Sequence, residues 1–262
     1  MEDNKAVLDY YENNYDEDGR SSRHCLEFIR TKEIISRYLY NNKLKIADLC
    51  GATGVYSYWL ANQGHEVHLL DLSSKHIEQA RKNKNKYNAE LASFTCGDAR
   101  RLPYSNNEFD MVLLMGALYH LQEQKERIAC IKEAYRVLKP NGVAVFSFIS
   151  RYASLIDGIK YSLVNDPEFV KILDTDLISG RHNNPNNRED YFTTAFFHTP
   201  ELIYQEMQLG FFTDVILYAV EGFASAIDTK VDLDVVLKYI KITECVPELL
   251  GISSHILAVC KK

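Results

Sequence analysis

The stretch Lys45-Ile46-Ala47-Asp48-Leu49-Cys50-Gly51-Ala52-Thr53-Gly54 carries a short apolar segment through a turn of small residues straight into the helical pattern of Val55 to Asn62. A brief apolar run bounded by Gly and Thr reads as a strand buried on both faces, and the small residues after it let the backbone approach a ligand closely. The same grammar repeats downstream. Strands are expected at Lys45–Leu49, Glu66–Asp71, Leu91–Cys96, Phe109–Met115, Val143–Ile149, Asp214–Val220 and His255–Cys260. Helices are expected at Val55–Asn62, Ser74–Tyr87, Gln122–Leu138, Pro200–Leu209 and Leu233–Lys241. Such alternation predicts βαβ units, hence an α/β fold with a doubly wound, seven-stranded, mostly parallel sheet. Pro140, Asn141 and Gly142 are expected to stop the helix that precedes the fifth strand.

Two segments stand outside the alternation. Residues 1–40 read as an N-terminal helical cap, two helices around an acidic turn with Tyr10, Tyr11 and Tyr15 nearby. Residues 150–198 read as a helical lid insertion, with a polar loop from Gly180 to Arg188. The sheet core is expected over 41–149 and resumes over 199–262. Long insertions at the carboxyl edge of such a sheet commonly cover a ligand.

The 262 residues include 46% hydrophobic and 25% charged residues, 6 Cys, 12 Gly and 6 Pro. That composition excludes collagen-like, disordered and disulfide-scaffold classes. The net charge of −6 comes from Met1 to Asp18, where seven acids face Lys5 alone. The dense basic run of Lys75, Arg81, Lys82, Lys84 and Lys86 reads as a solvated helix face, so no nucleic-acid partner is expected. The longest apolar run, Met111 to Leu121, is interrupted by Gly116 and His120 and falls short of the ~20 residues a membrane span requires. No membrane partner and no signal peptide are expected. The cysteines are scattered without C-x-x-C pairing, which predicts reduced thiols and a cytoplasmic protein. His182, His198 and His255 show no metal spacing, so no metal is expected. His198, Thr199, Pro200 and Glu201 read instead as a helix start, with Thr199 as N-cap.

In an open α/β sheet the ligand lies beyond the carboxyl ends of the strands. The first strand closes on Asp48 to Gly54. The second closes on Asp71, with Leu72 beside it, 20 residues beyond Gly51, where a carboxylate can accept ribose hydroxyls. The third ends Cys96-Gly97-Asp98-Ala99 and the fourth Met115-Gly116-Ala117-Leu118-Tyr119-His120. As a set, these residues resemble the class I S-adenosylmethionine (SAM)-dependent methyltransferases, in motif order over about 45–149 and in topology beyond. Asp48 to Gly54 stands where that family has its glycine-rich loop, and Asp71 where it has the ribose acid. Gly97, Asp98 and Ala99 match its third motif, whose acid and following amide contact the adenine. Arg136 to Gly142 looks like its recurrent junction into the fifth strand. The resemblance implies a Rossmann-like methyltransferase that binds SAM and releases S-adenosylhomocysteine. The implied cofactor contacts are Asp48, Cys50, Gly51, Thr53, Gly54, Asp71, Leu72, Asp98, Ala99, Met115 and, from the cap, Tyr15.

The family loop usually reads D-x-G-x-G-x-G, and here Cys50 and Ala52 stand at two of the glycine positions. Where those glycines adopt positive φ, a Cβ costs energy. A nicotinamide-dependent dehydrogenase shares the sheet and the acid, but its pyrophosphate requires G-x-G-x-x-G, which Gly51 and Gly54 alone do not supply. The expected function is therefore methyl transfer to a small-molecule acceptor by in-line displacement. The alternative is a SAM- or nucleoside-binding protein of the same fold without transfer.

Transfer from a sulfonium demands alignment and exclusion of water more than acid–base machinery. His120, at the edge where acceptors bind, is the candidate general base or orienting group; its other reading is an imidazole bonded to a backbone carbonyl. Tyr11, Arg23, Tyr119, Tyr152 and Tyr191 are candidate acceptor contacts. Phe192, Phe196 and Phe197 could add aromatic cover, and Arg20, Arg151, Arg181 and Arg188 could hold an acceptor carboxylate or phosphate. The oligomeric state is not legible in the sequence.

Overall fold

Apolar side chains on both faces bury β1 (Lys45–Leu49) from Ile46 onward and put it in the middle of a sheet. The computed structural model describes residues 10–11, 25–40, 42–186, 188, 191–226 and 232–262. Helix α1 (Cys25–Ser36) precedes β1. After it come α2 (Val55–Ala61), β2 (Glu66–Asp71), α3 (Ser74–Tyr87), β3 (Ser93–Cys96), β4 (Phe109–Leu114), α4 (Gln124–Val137) and β5 (Leu138–Ile149). The remainder is α5 (Ala153–Lys160), α6 (Pro167–Ser179), the short pair β6 (Arg181–His182) and β7 (Ala195–Phe196), then α7 (Pro200–Leu209), β8 (Asp214–Ala219), α8 (Leu233–Thr243), α9 (Pro247–Leu250) and β9 (His255–Lys261).

The strands form the expected seven-stranded sheet, in the order β3-β2-β1-β4-β5-β9-β8. β1 to β5 pair in parallel, and β9 runs antiparallel to both β5 and β8. Leu49 is in register with Leu70 and with Leu114, so β1, β2 and β4 end together. The strand order reverses between β1 and β4, which opens a crevice at their carboxyl ends. One face of the sheet packs Leu49, Leu114 and Phe146 against Ile131 of α4 and Met207 of α7. The other packs Ile46, Met111 and Val145 with Ile34 of α1 and Leu60 of α2.

Local chemistry sets the helix ends. The Ser73 side chain accepts the His76 amide at the start of α3, and Asn88 closes that helix at φ 49°, ψ 46°. Thr199 caps α7 through the Leu202 amide with Pro200 in the first turn, as its sequence reads.

The helix stops ahead of Pro140, Asn141 and Gly142, as expected, but these residues belong to the fifth strand, which starts at Leu138 and not at Val143. α4 has already ended at Val137, and Leu138 is extended at φ −74°, ψ 136°. Pro140 to Gly142 lie within β5, with Asn141 at φ 63° beside a register shift against β4. Pro140 forces Lys139 out of the helical region, so the chain turns extended before it reaches the proline. β3 begins at Ser93, two residues later than its apolar pattern suggests. Of the cap, α1 and Tyr10–Tyr11 are described; Tyr15, Arg20 and Arg23 lie outside the described residues. Between β5 and α7 the chain folds as two helices and a small hairpin. Asp166 caps the second helix, α6, and Gly180 ends it at φ 78°.

Candidate active site

A cleft with about 1260 Å³ of space, its open mouth included, lies at the carboxyl ends of β1, β2, β3 and β4. Its walls include Asp48, Cys50, Gly51, Thr53, Asp71, Leu72, Asp98, Ala99 and Met115. Gly54 stands just behind as the N-cap of α2, at φ 88°. The strand ends therefore bring together the residues singled out in the first four strand-to-helix junctions.

The loop after β1 keeps a glycine-like backbone without the usual glycines. Cys50 has φ 60° and Ala52 φ 47°, both left-handed. The loop is tethered to β2: the Cys50 amide donates to Leu70 O at 2.7 Å and the Ala52 amide to Asp71 Oδ2 at 2.9 Å. A left-handed L-residue costs ~1–2 kcal/mol, so these bonds hold the loop in a conformation its side chains oppose. Gly51 is required for space rather than for φ, since a Cβ there would lie 2.6 Å from Asp48 Oδ2. Burial and the neighbouring Asp71 carboxylate push the Cys50 thiol well above the usual range, which disfavours its thiolate.

Three of the cleft's four carboxylates stand at strand ends, each with different partners. Asp48 is fully buried, and desolvation pushes it up to about 6 despite the Ser57 hydroxyl donating to Oδ2 at 2.6 Å. Asp71 accepts from the Ala52 amide, the Ser73 amide and His76 Nδ1 at 2.9, 2.9 and 3.2 Å. A carboxylate offers about four lone-pair sites, so about one remains for a ligand hydroxyl. Asp98 is drawn upward by burial but ends below its ordinary value, because Arg100 grips both its oxygens at 3.0 Å. Arg100 in turn donates to Glu126 at 2.5 Å.

Beside these stands a tyrosine–histidine pair. The Thr194 carbonyl can only accept, so His120 Nδ1, 3.3 Å away, carries the hydrogen in the neutral ring. Nε2 is then the acceptor for the Tyr11 hydroxyl at 3.0 Å. Tyr11, Tyr119 and His120 all line the cleft. The Tyr119 hydroxyl donates to Met115 O at 3.2 Å, and Phe192 stacks on the His120 ring with centroids 5.8 Å apart.

Tyr152 and Tyr191 stand elsewhere. Tyr191 packs on Phe169, and its hydroxyl donates to Asp166 at 2.8 Å, which makes it core of the inserted segment. Tyr152 precedes α5, lies near Gly251 and is outside the cleft wall. Arg151, Arg181 and Arg188 are likewise engaged away from it, with Phe197 O, Glu123 and Asp166. Phe196 packs under Arg127 at 3.7 Å. The cleft also recruits Glu27 and Phe28 from α1, Tyr56 from α2, His76 from α3 and Cys130 from α4. These helix positions carry no motif; the inward face of α2 at Tyr56 is the nearest thing to a sequence signal.

Residues 46–142 match the family model described as a methyltransferase domain. That stretch holds the first four strand ends and most of the cleft residues on them, in keeping with the class I SAM-dependent methyltransferases that those residues resemble. The ubiquinone/menaquinone biosynthesis C-methyltransferase of a Ruegeria species is 33% identical over 102 residues, 37% of this chain and 39% of that protein. The demethylmenaquinone methyltransferase of Staphylococcus saprophyticus is 33% identical over 118 residues, 44% of this chain and 48% of that protein. The match thus spans less than half the length of these curated relatives. A solved SAM-dependent methyltransferase from Methanosarcina mazei has a TM-score of 0.61 at 18% identity, covering 87% of this chain and 96% of its own, and it shows the shared fold.

SAM is the cofactor that this resemblance implies, and the cleft residues fit it. Asp48 Oδ1 and Thr53 Oγ1 are buried polar atoms on the cleft wall without a hydrogen-bond partner among the described residues. Orphaned polar atoms of this kind are costly unless a ligand meets them.

Proposed function

We propose that this chain transfers the methyl group of SAM to a small-molecule acceptor, with the Tyr11–His120 pair handling the acceptor's proton. The carrying observation is the coexistence, in one cleft, of unmet ligand-binding atoms on Asp48 and Thr53 with a histidine whose acceptor nitrogen faces a tyrosine hydroxyl. In this reading Asp71 takes a ribose hydroxyl, Asp98 and Ala99 flank the adenine, and the Asp48–Gly54 loop with Met115 lies along the methionine moiety. When bound, SAM supplies a methyl group on a sulfonium, already a good leaving group. His120 Nε2 receives the acceptor's proton, directly or through the Tyr11 hydroxyl, while Thr194 O holds Nδ1–H and keeps that nitrogen available. Tyr119 and Phe192 hold the imidazole and shed water from it.

Among the described residues no Lys or Arg lines the cleft, while Glu27, Asp48, Asp71 and Asp98 do. That balance favours a neutral or cationic acceptor over a carboxylate or phosphate ester. Relatives named for ubiquinone and menaquinone biosynthesis support an organic acceptor of modest size. The six cysteines are free, which supports a reducing compartment such as the cytoplasm. Among the described residues no helix is long and apolar enough to cross a membrane.

The test is transfer of labelled methyl from SAM to a panel of phenols, quinols and amines, repeated on His120→Gln and Tyr11→Phe. Turnover should fall at least tenfold in His120→Gln while SAM affinity stays within threefold of wild type. Undiminished turnover in His120→Gln removes the proton-handling role. SAM binding with no transfer to any acceptor class supports the binding-protein alternative.

A further inference from the structure

Behind His120 lies a charged network that the chemistry above does not use. Arg127, in the first part of α4, and Glu206, in α7, are both essentially inaccessible to solvent. Arg127 Nε contacts both Glu206 oxygens, at 3.1 and 3.0 Å, and Nη2 adds a 2.6 Å bond to Oε1. Glu206 Oε2 also accepts from His198 Nε2 at 3.2 Å. Burial depresses the His198 pKa and Glu206 opposes that only in part, so His198 is the neutral member. Replacing a buried pair like this with apolar residues is often neutral or stabilising, so stability alone gives a weak reason for its presence.

The free arm of the guanidinium shows what else it does. Arg127 Nη1 donates to Leu121 O and to Gln122 O, each at 2.8 Å. These are the two carbonyls that directly follow His120 in the chain. His120 itself ends the single helical turn Leu118–His120, whose Leu121 amide folds back on Leu118 O. A second hold on His120, the Thr194 carbonyl, belongs to the segment entering β7, and β7 lays Phe196 against the Arg127 guanidinium at 3.7 Å. Gln122 Nε2 closes the loop by donating to His182 O and Ala195 O of the same hairpin, at 3.0 and 3.2 Å. Two of the restraints on the imidazole, the main chain after it and the carbonyl at Nδ1, therefore converge on one buried arginine.

We propose that Arg127 is a positioning residue: anchored by Glu206 and His198, it fixes the His120 turn against the β6–β7 hairpin and so fixes the tautomer that leaves Nε2 as the acceptor. The proposal rests on the acid–base reading of His120 for its functional meaning, but its structural content can be measured without turnover. An arginine is needed because only its planar fork can hold a carboxylate and two carbonyls at once; a lysine ammonium can keep the ion pair but not the whole set.

The experiment uses full-length protein saturated with S-adenosylhomocysteine and reads the His120 ring nitrogens by long-range nitrogen–proton correlation at pH 7.5. Arg127→Lys is the first variant, and Gln122→Ala, at a half-buried position, is the second in case the first unfolds. Wild type should show one tautomer, with the proton on Nδ1. Both variants should retain S-adenosylhomocysteine affinity within threefold yet show averaged ring nitrogens, the signature of an imidazole released from Thr194. An unaltered single tautomer in Arg127→Lys overturns the proposal; if Arg127→Lys does not fold, an unaltered tautomer in Gln122→Ala overturns it. Labelled-methyl turnover of His120→Gln, run alongside, separates the two ideas. Turnover unchanged there sinks the role of His120, whereas a tautomer unchanged in the variants sinks only the positioning.

Discussion

Asp48→Asn should make the protein more stable and its cofactor binding weaker, and the size of the gain should depend on pH. Asp48 is fully buried, and its carboxyl is raised from 3.8 to about 6, chiefly by desolvation. The folded protein thus holds this proton more tightly than the unfolded chain, so the Asp48 contribution falls as pH rises from about 4 through about 6, then levels off. At ~1.36 kcal/mol per pH unit the ionised carboxylate costs about 3 kcal/mol at pH 8 and about 1.6 kcal/mol at pH 5. The Ser57 bond is already contained in that value, and the fixed cost of replacing the carboxyl by an amide is the same at both pH values. What survives is the difference: the advantage of the Asp48→Asn protein over wild type should widen by about 1.4 kcal/mol between pH 5 and pH 8. Urea unfolding of both proteins at the two pH values measures it. SAM affinity should fall at least tenfold, because the unmet Oδ1 no longer offers a carboxylate oxygen to a cationic ligand. An advantage of equal size at pH 5 and pH 8 would refute the buried-charge reasoning, and SAM affinity equal to wild type would remove Asp48 from the binding site.

Thr53→Val should be neutral or stabilising by up to ~1 kcal/mol in urea unfolding, since it removes a buried hydroxyl without a partner, while weakening SAM binding measured by calorimetry. Ala52→Gly should relieve the left-handed strain at φ 47°, raising stability by ~0.5–1 kcal/mol after the entropy cost of glycine, with SAM affinity retained or improved. Gly51→Ala should do the reverse, costing ~1–3 kcal/mol and most of the binding, because its Cβ meets Leu69 and Asp48. Glu206→Leu should cost ~3–5 kcal/mol by leaving Arg127 buried and unpaired, and adding Arg127→Met should recover most of that in thermal melts.

The parts of this molecule governed by short-range pattern were legible. β1, β2, α3 and α7 fall where apolar period, Thr199 and Pro200 put them, because burial on two faces and capping are written within a few residues. The strand-end wall of the cleft was legible for the same reason: it is built from the residues at which strands end. The rest of its wall was less so. Tyr191 is an amphipathic ring like Tyr11, and sequence says nothing about which of them turns toward the cleft and which toward Phe169. Glu27, Phe28 and His76 enter from helix faces without any motif. Arg127 and Glu206 lie 79 residues apart, and only the packing of α4 against α7 makes them one group. The left-handed Cys50 and Ala52 are a further instance: the sequence raised the conflict, and only the tether from Asp71 and Leu70 shows how it is resolved.

The central claim, that the cleft between β1 and β4 is a SAM site, is tested most directly by calorimetric titration with SAM and with S-adenosylhomocysteine, on wild type and on Asp71→Ala. The account predicts one site of micromolar affinity for both ligands, weakened at least tenfold, ~1.4 kcal/mol, when the Asp71 carboxylate is removed. Absence of binding by either ligand to the folded wild-type protein would contradict it.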